Sequence, residues 1–420
     1  MTSNVHESAD PSISPEPLVV LTVPVTDPGD LLSLLPEEHA TAWIRRGDGI
    51  VGWGSAAVIR TRGPERFRAA EEWWAEQSRT SIVRDKVDLP GTGLVAFGSF
   101  AFADEPGDSI LVIPEVIVGR RDGQAWVTTI GHGLRSAPDL SERHAPRPPS
   151  GVTFVDGAVS GPEWEAIVAD AVRRINNGEL EKVVLARDLV ATSAEPIDVR
   201  WPLRQLAASY EGCWTFHVDG LFGATPEMLV RRERGLVTSR VLAGTIRRTG
   251  DDERDLALAA TLARSSKDLE EHRYAVRSVA DALSPHCTSM NVPESPFVLH
   301  LPNVMHLATD VAGVIDDATS SLALAAALHP SAAVGGTPTK SALDLISEIE
   351  GMDRDRYAGP VGWIAANGDG EWGIALRSAH VEEDSVRLFA GCGIVASSDP
   401  ESELAESQAK FVPVRDALSD

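Results

Sequence analysis

Strand-forming segments in this 420-residue chain come in pairs joined by tight turns, with helix-forming segments between the pairs. LFGATPEMLVRRERGLVTSRVLAGT (221–245) turns near Arg234-Gly235, and EWGIALRSAHV and VRLFAGCGIV turn through Glu382 to Ser385. A tight turn joins only antiparallel neighbours, whereas parallel strands need long crossovers. The pattern therefore predicts an α+β fold built on antiparallel sheet, not a parallel βαβ array.

Helix signals fill the gaps. Ser160 and Glu163 form a capping box, apolar residues follow at helical spacing from Trp164 to Ile175, and Asn177-Gly178 stops the helix. SSKDLEEHRYAVRSVADAL is a second helix, and Asp399-Pro400 opens a third, with Asp at the N-cap. Residues 1–16 read as a polar tail and 17–150 as an N-terminal part mixing strands with one helix near ERFRAAEEWWAEQ. Within it, 136–150 is a Pro-rich connector to the region 151–416, where the signals sharpen.

Composition excludes several classes. Hydrophobic residues make up 43%, enough for a large core. A net charge of −24 with no basic stripe argues against nucleic acid. Cys213, Cys287 and Cys392 lie far apart, which suits reduced thiols in the cytoplasm. Neither a signal peptide nor a membrane-length apolar run is present, so the expectation is a soluble cytoplasmic monomer.

Common chemical motifs fail. AVGGTPTKS (333–341) lacks the Gly a phosphate loop needs before Lys340, and no GxSxG elbow occurs. His300, His306 and His329 lack the close spacing of zinc ligands. Four segments remain. Lys182 leads into an apolar strand, where it is a candidate base or a snorkelling edge residue. Glu227 ends a tight loop, as a candidate acid or a solvated turn residue. Asp268 and Glu271 sit three apart on one helix, and Glu403, Glu406 and Lys410 share a face of another. Singly, each fits a solvated surface; together, four carboxylates on two helices suit one Mg²⁺ with an anionic substrate.

The segments EKVVLAR, FGATPEMLVRR, VLAGTIRR, SSKDLEEHRYAV, VMHLATDVAG, LHPSAAVGGTP, DRDRYAGPVGW, GEWGIALRSA, LFAGCGIV and ESELAESQAKF resemble, in order, those of the chorismate-utilising enzymes. Among these the chain looks most like the isochorismate synthases. The resemblance implies two packed antiparallel sheets surrounded by helices, and chorismate as substrate. It implies that Lys182 activates the attacking water and that Glu227 protonates the departing hydroxyl. Glu271 and Glu406 match direct Mg²⁺ ligands, and Asp268 and Glu403 match holders of its waters. Gly244, Thr245, Thr309, Arg377, Gly391, Gly393 and Lys410 match substrate contacts. His306 and His329 lie in shared motifs without an assigned step.

Such a pair needs a neutral lysine and a protonated glutamate, the reverse of their states in bulk water. Ammonia-using relatives carry glutamine at the lysine position, and those with an enzyme-bound intermediate carry a lysine where Ala243 stands. Both differences favour water as the nucleophile. Salicylate synthase, which shares the acid, base and metal positions, is the alternative. A non-catalytic Mg²⁺-binding relative is the alternative of a different class.

Overall fold

The structure is a computed structural model that describes residues 16–301, 304–315 and 318–419, without the side chains of Lys267 and Glu271. The tail expected at 1–16 falls outside these residues except for Glu16. The fold is α+β. Strands form a 13-stranded and a 10-stranded sheet. Val19–Val25 pairs with Ile82–Asp85 in parallel, and every other pairing among the described residues is antiparallel.

The sheets face one another across an aromatic core. Trp126, Phe97 and Phe216 are buried there. Trp43 of the larger sheet donates from Nε1 to Glu371 of the smaller, at 2.8 Å. On the other face of the smaller sheet, Trp372 meets Phe100 edge-on, at 5.7 Å between ring centroids, and its Nε1 donates to Ser321 Oγ at the start of the helix Ser321–Leu328. Such edge-to-face contacts add to the area the rings bury.

Residues 17–135 supply strands to both sheets. Thr215 pairs with Ile44 in the larger sheet, and Val361 with Ser99 in the smaller. The connector 136–150 carries neither helix nor strand. Helices cover the outer faces. Gly161–Asn176 and Pro400–Ala417 pack on the larger sheet, and Ser266–Leu283 on the smaller. The start of Gly161–Asn176 is fixed as expected, with Glu163 Oε2 accepting from Ser160 N–H at 3.0 Å. No helix among the described residues is long and apolar enough to cross a membrane.

One expectation needs correction. EWGIALRSAHV reads as a single strand, but it is two. Gly370–Ile374 lies in the smaller sheet and Ser378–Glu382 in the larger. FGATPEML divides in the same way, into Leu221–Thr225 of the larger sheet and Met228–Glu233 of the smaller. Both halves of each segment are buried, so hydropathy carries no sign of the switch. The breaks come at Pro226 and at Arg377, whose φ is +49°. The two crossovers bind each other: Ile374 N–H donates to Glu227 O at 3.1 Å, and Ala224 N–H to Arg377 O at 3.3 Å.

Because Trp372 fills the space between the smaller sheet and the helix Ser321–Leu328, Trp372→Ala should destabilise the fold by about 3–5 kcal/mol. Urea titration checks this, and an unchanged midpoint would mean that the packing of helix on sheet does not depend on that ring.

Candidate active site

Beside the crossovers lies a cavity of ≈ 300 Å³ between the two sheets. It is lined by Lys182, Glu227, Gly244, Thr245, Asp268, Arg377, Gly391, Gly393, Glu403, Glu406 and Lys410. All eleven were singled out from sequence. Thr309 is not in the lining. Its hydroxyl bonds His272 Nε2 at 2.7 Å, and His272 Nδ1 reaches the carbonyl of Ala243 at 3.2 Å. Thr309 thus supports the Ala243–Thr245 turn from behind. Glu271 lies on the helix of Asp268, and its side chain is outside the described residues. A larger cleft of ≈ 870 Å³ holds none of the expected residues, and its arginines are engaged, with Arg60 on Asp219 at 2.8 Å and Arg387 on Asp188 at 2.6 Å.

Local structure explains how these groups meet. The strand Lys182–Thr192 pairs with Ser385–Ile394, setting Lys182 beside Gly393. A Cβ at Gly393 would stand 3.0 Å from Lys182 Cε and 3.5 Å from Nζ, so a side chain there would crowd the lysine. The strand Leu236–Arg247 bulges between Ala243 and Thr245. Gly244 sits at that irregularity with φ +78°, a left-handed conformation that suits glycine. A Cβ there would lie 3.2 Å from Cβ of Asp268, so the bare backbone lets the acidic helix approach.

Glu227 is 6% exposed. Burial pushes its carboxyl up to about 8, although the charges of Lys182, Arg377 and Lys410 act in the opposite direction. At neutral pH it is therefore a carboxylic acid with a proton to give. Arg377 is buried, its Nη1 has no hydrogen-bond partner among the described residues, and its Nη2 bonds His306 Nε2 at 3.2 Å. Burial and the Arg377 charge hold His306 well below the usual imidazole range. Because a guanidinium only donates, the neutral ring accepts at Nε2 and carries its proton on Nδ1. Nδ1–H then donates to Thr245 Oγ1 at 2.9 Å, which leaves the hydroxyl proton of Thr245 free for another acceptor.

The C-terminal helix Pro400–Ala417 starts as expected, with the Asp399 side chain accepting from Ser402 N–H at 3.0 Å. Ser398 Oγ donates to Glu403 at 2.7 Å, and Lys410 Nζ pairs with Glu406 at 2.7 Å and donates to Gly391 O at 2.8 Å. Burial opposes the Lys410 charge, but its net pKa is raised, with the Glu406 carboxylate holding the proton at neutral pH, so it is an ammonium. Potential ligand atoms of Cys392, Glu403 and Glu406 lie within 4.8 Å of one another. Burial raises the Cys392 thiol to about 12, so at neutral pH the donors there are carboxylate oxygens, the set a hard cation takes.

The family model for chorismate-binding enzymes matches residues 16–419. The chain belongs to that family. The isochorismate synthase MenF of Bacillus subtilis is 31% identical over 409 residues, covering 88% of this chain and 85% of that protein. The salicylate biosynthesis isochorismate synthase of Pseudomonas aeruginosa is 35% identical over 396 residues, covering 87% and 82%. The structure of MenF, the menaquinone-specific isochorismate synthase of Escherichia coli, superposes with a TM-score of 0.79 at 26% identity, covering 96% of this chain and 95% of that one.

Sequence reading gave no role to three other residues around the cavity of this chorismate-binding enzyme: His306, Arg354 and Tyr357. DRDRYAG and VMHLATD are conspicuous motifs, but nothing local shows which of their side chains turn inward.

The Glu227 carboxyl carries a stability signature. Its folded pKa of about 8 exceeds the ordinary value of 4.5. Below pH 4.5 both states hold the proton and nothing is lost. As pH rises from 4.5 towards 8 the unfolded chain releases it while the folded chain keeps it, so stability falls. Glu227→Gln should therefore gain roughly 1–4 kcal/mol over the natural protein at pH 8, and little at pH 4.5. Thermal melts across this range check it; a pH-independent difference would contradict the raised pKa.

Proposed function

We propose that this enzyme converts chorismate to isochorismate, supplying menaquinone or siderophore biosynthesis. The observation that carries the reading is a protonated, buried Glu227 in one cavity with Lys182, in a chain whose relatives are named isochorismate synthases. Both a menaquinone-specific and a salicylate-biosynthesis enzyme stand among those relatives.

Lys182 takes a proton from water as the oxygen bonds to ring carbon 2. The ring double bonds shift, and the bond from carbon 4 to its hydroxyl breaks. Glu227 gives its proton to that hydroxyl, which leaves as water. One water enters and one departs, so the net reaction is an isomerisation. Afterwards Glu227 recovers a proton and Lys182 sheds one. Arg377, with an unsatisfied Nη1, and the Lys410 ammonium suit the substrate carboxylates. Thr245 adds a hydroxyl donor fixed by His306.

The carboxylates of Asp268, Glu271, Glu403 and Glu406 are assigned to Mg²⁺. A donor set of acidic oxygens beside a protonated thiol supports that assignment. Bound Mg²⁺ would supply positive charge to the ring carboxylate of chorismate.

Incubation with chorismate, with and without Mg²⁺, followed by chromatography and NMR, tests the function. Isochorismate in equilibrium with chorismate, formed only with Mg²⁺, is expected. Salicylate and pyruvate would move the enzyme to salicylate synthesis, and unchanged chorismate would leave a binding protein. Lys182→Met and Glu227→Gln should each lower kcat by about 10²–10⁴-fold while the protein stays folded. Because Glu227 must be protonated, kcat should also fall as pH rises past about 8. A flat alkaline profile would remove Glu227 as the acid.

A further inference from the structure

Lys182 is placed by the strand Lys182–Thr192, and one edge of that strand has a gap closed by side chains. The inner edge pairs throughout with Ser385–Ile394. On the outer edge Lys182 and Val183 pair with Thr337 and Gly336, and residues from Leu189 to Thr192 pair with Thr153–Asp156. Among the described residues no strand lies between, yet the backbone groups there are satisfied. Val184 N–H donates to Gly335 O at 2.8 Å. Val184 O accepts from Arg354 Nη2 at 2.7 Å. Ala186 N–H donates to Glu350 Oε2 at 2.8 Å, and Ala186 O accepts from Trp164 Nε1 at 3.1 Å. Three side chains stand in for the missing strand.

Arg354 does more than fill the gap. Its Nη1 donates to Val334 O at 2.9 Å, and its Nε and Nη2 bind Glu350 at 2.6 and 2.5 Å. The Arg354 and Glu350 side chains are 2% and 1% exposed. Val184, Val334 and Arg354 all line the substrate cavity. A buried ion pair contributes little net stability compared with apolar residues of similar size. What an arginine fork does supply is fixed, planar geometry.

We propose that the Glu350–Arg354 pair is a positioning device for the base: it locks the backbone two residues beyond Lys182, and the Val334 loop facing it, at one separation. This rests on Lys182 acting as the base. A catalytic group displaced by about 1 Å loses on the order of 10²-fold in rate. Arg354→Met should therefore lower kcat by roughly 10–100-fold with little change in KM. Glu350→Gln keeps an acceptor for Ala186 N–H and for Arg354, and should retain kcat within about tenfold, whereas Glu350→Leu should not.

The experiment measures kcat and KM for chorismate in the three variants and in Lys182→Met, below each melting transition. An inactive Lys182→Met with the expected pattern supports the device. An inactive Lys182→Met together with normal kcat in Arg354→Met, or with a rise in KM alone, overturns it. Should Arg354→Met fail to fold, the Glu350 pair decides, since equal kcat for Gln and Leu also overturns it. An active Lys182→Met would instead sink the assignment of the base, whatever Arg354 does.

Discussion

The site depends on the two crossovers between the sheets. At Thr225–Met228 and at Ile374–Ser378 the chain leaves one sheet for the other, and the crossings hydrogen bond to each other. Each delivers one ionisable side chain to the seam, Glu227 from the first and Arg377 from the second. A residue at such a crossing is enclosed by both sheets, which is why burial outweighs neighbouring positive charge and keeps Glu227 protonated. The same enclosure strips Arg377 of water without giving Nη1 a partner, an arrangement suited to an incoming anion.

Charge is sorted within the cavity. The chain carries 38 basic against 62 acidic side chains, yet Lys182, Arg354, Arg377 and Lys410 converge there. Asp268, Glu403 and Glu406 come from the two helices packed on opposite sheets. A metal held by such carboxylates would bridge helices on the two sheets, so its binding would be coupled to the closure of the seam.

Much of this was legible in the sequence because the chemistry sits in short, punctuated motifs. Lys182 heads an apolar strand, Glu227 follows a proline, and Asp399-Pro400 announces the acidic helix. The division of EWGIALRSAHV was hidden because a strand buried in one sheet reads like a strand buried in another. Thr309 was grouped with the contacts through its motif, although it faces His272 behind the lining. Arg354 was hidden for a different reason. Besides Glu350, its partners are backbone atoms of Val184 and Val334, and a backbone gap in a sheet edge leaves no trace in residue types.

The strand Lys182–Thr192 also bears on how the protein is made. Its long partner, Ser385–Ile394, lies far downstream and emerges from the ribosome much later. Until then KVVLARDLVAT has open edges and a composition prone to pairing with other chains. Arg187 and Asp188 interrupt it at the centre with charge, which disfavours such pairing. In the folded chain both are buried, Arg187 on Asp156 of the preceding strand and Asp188 on Arg387 of the partner. Charges that look misplaced in a finished core are thus suited to the interval before that core exists.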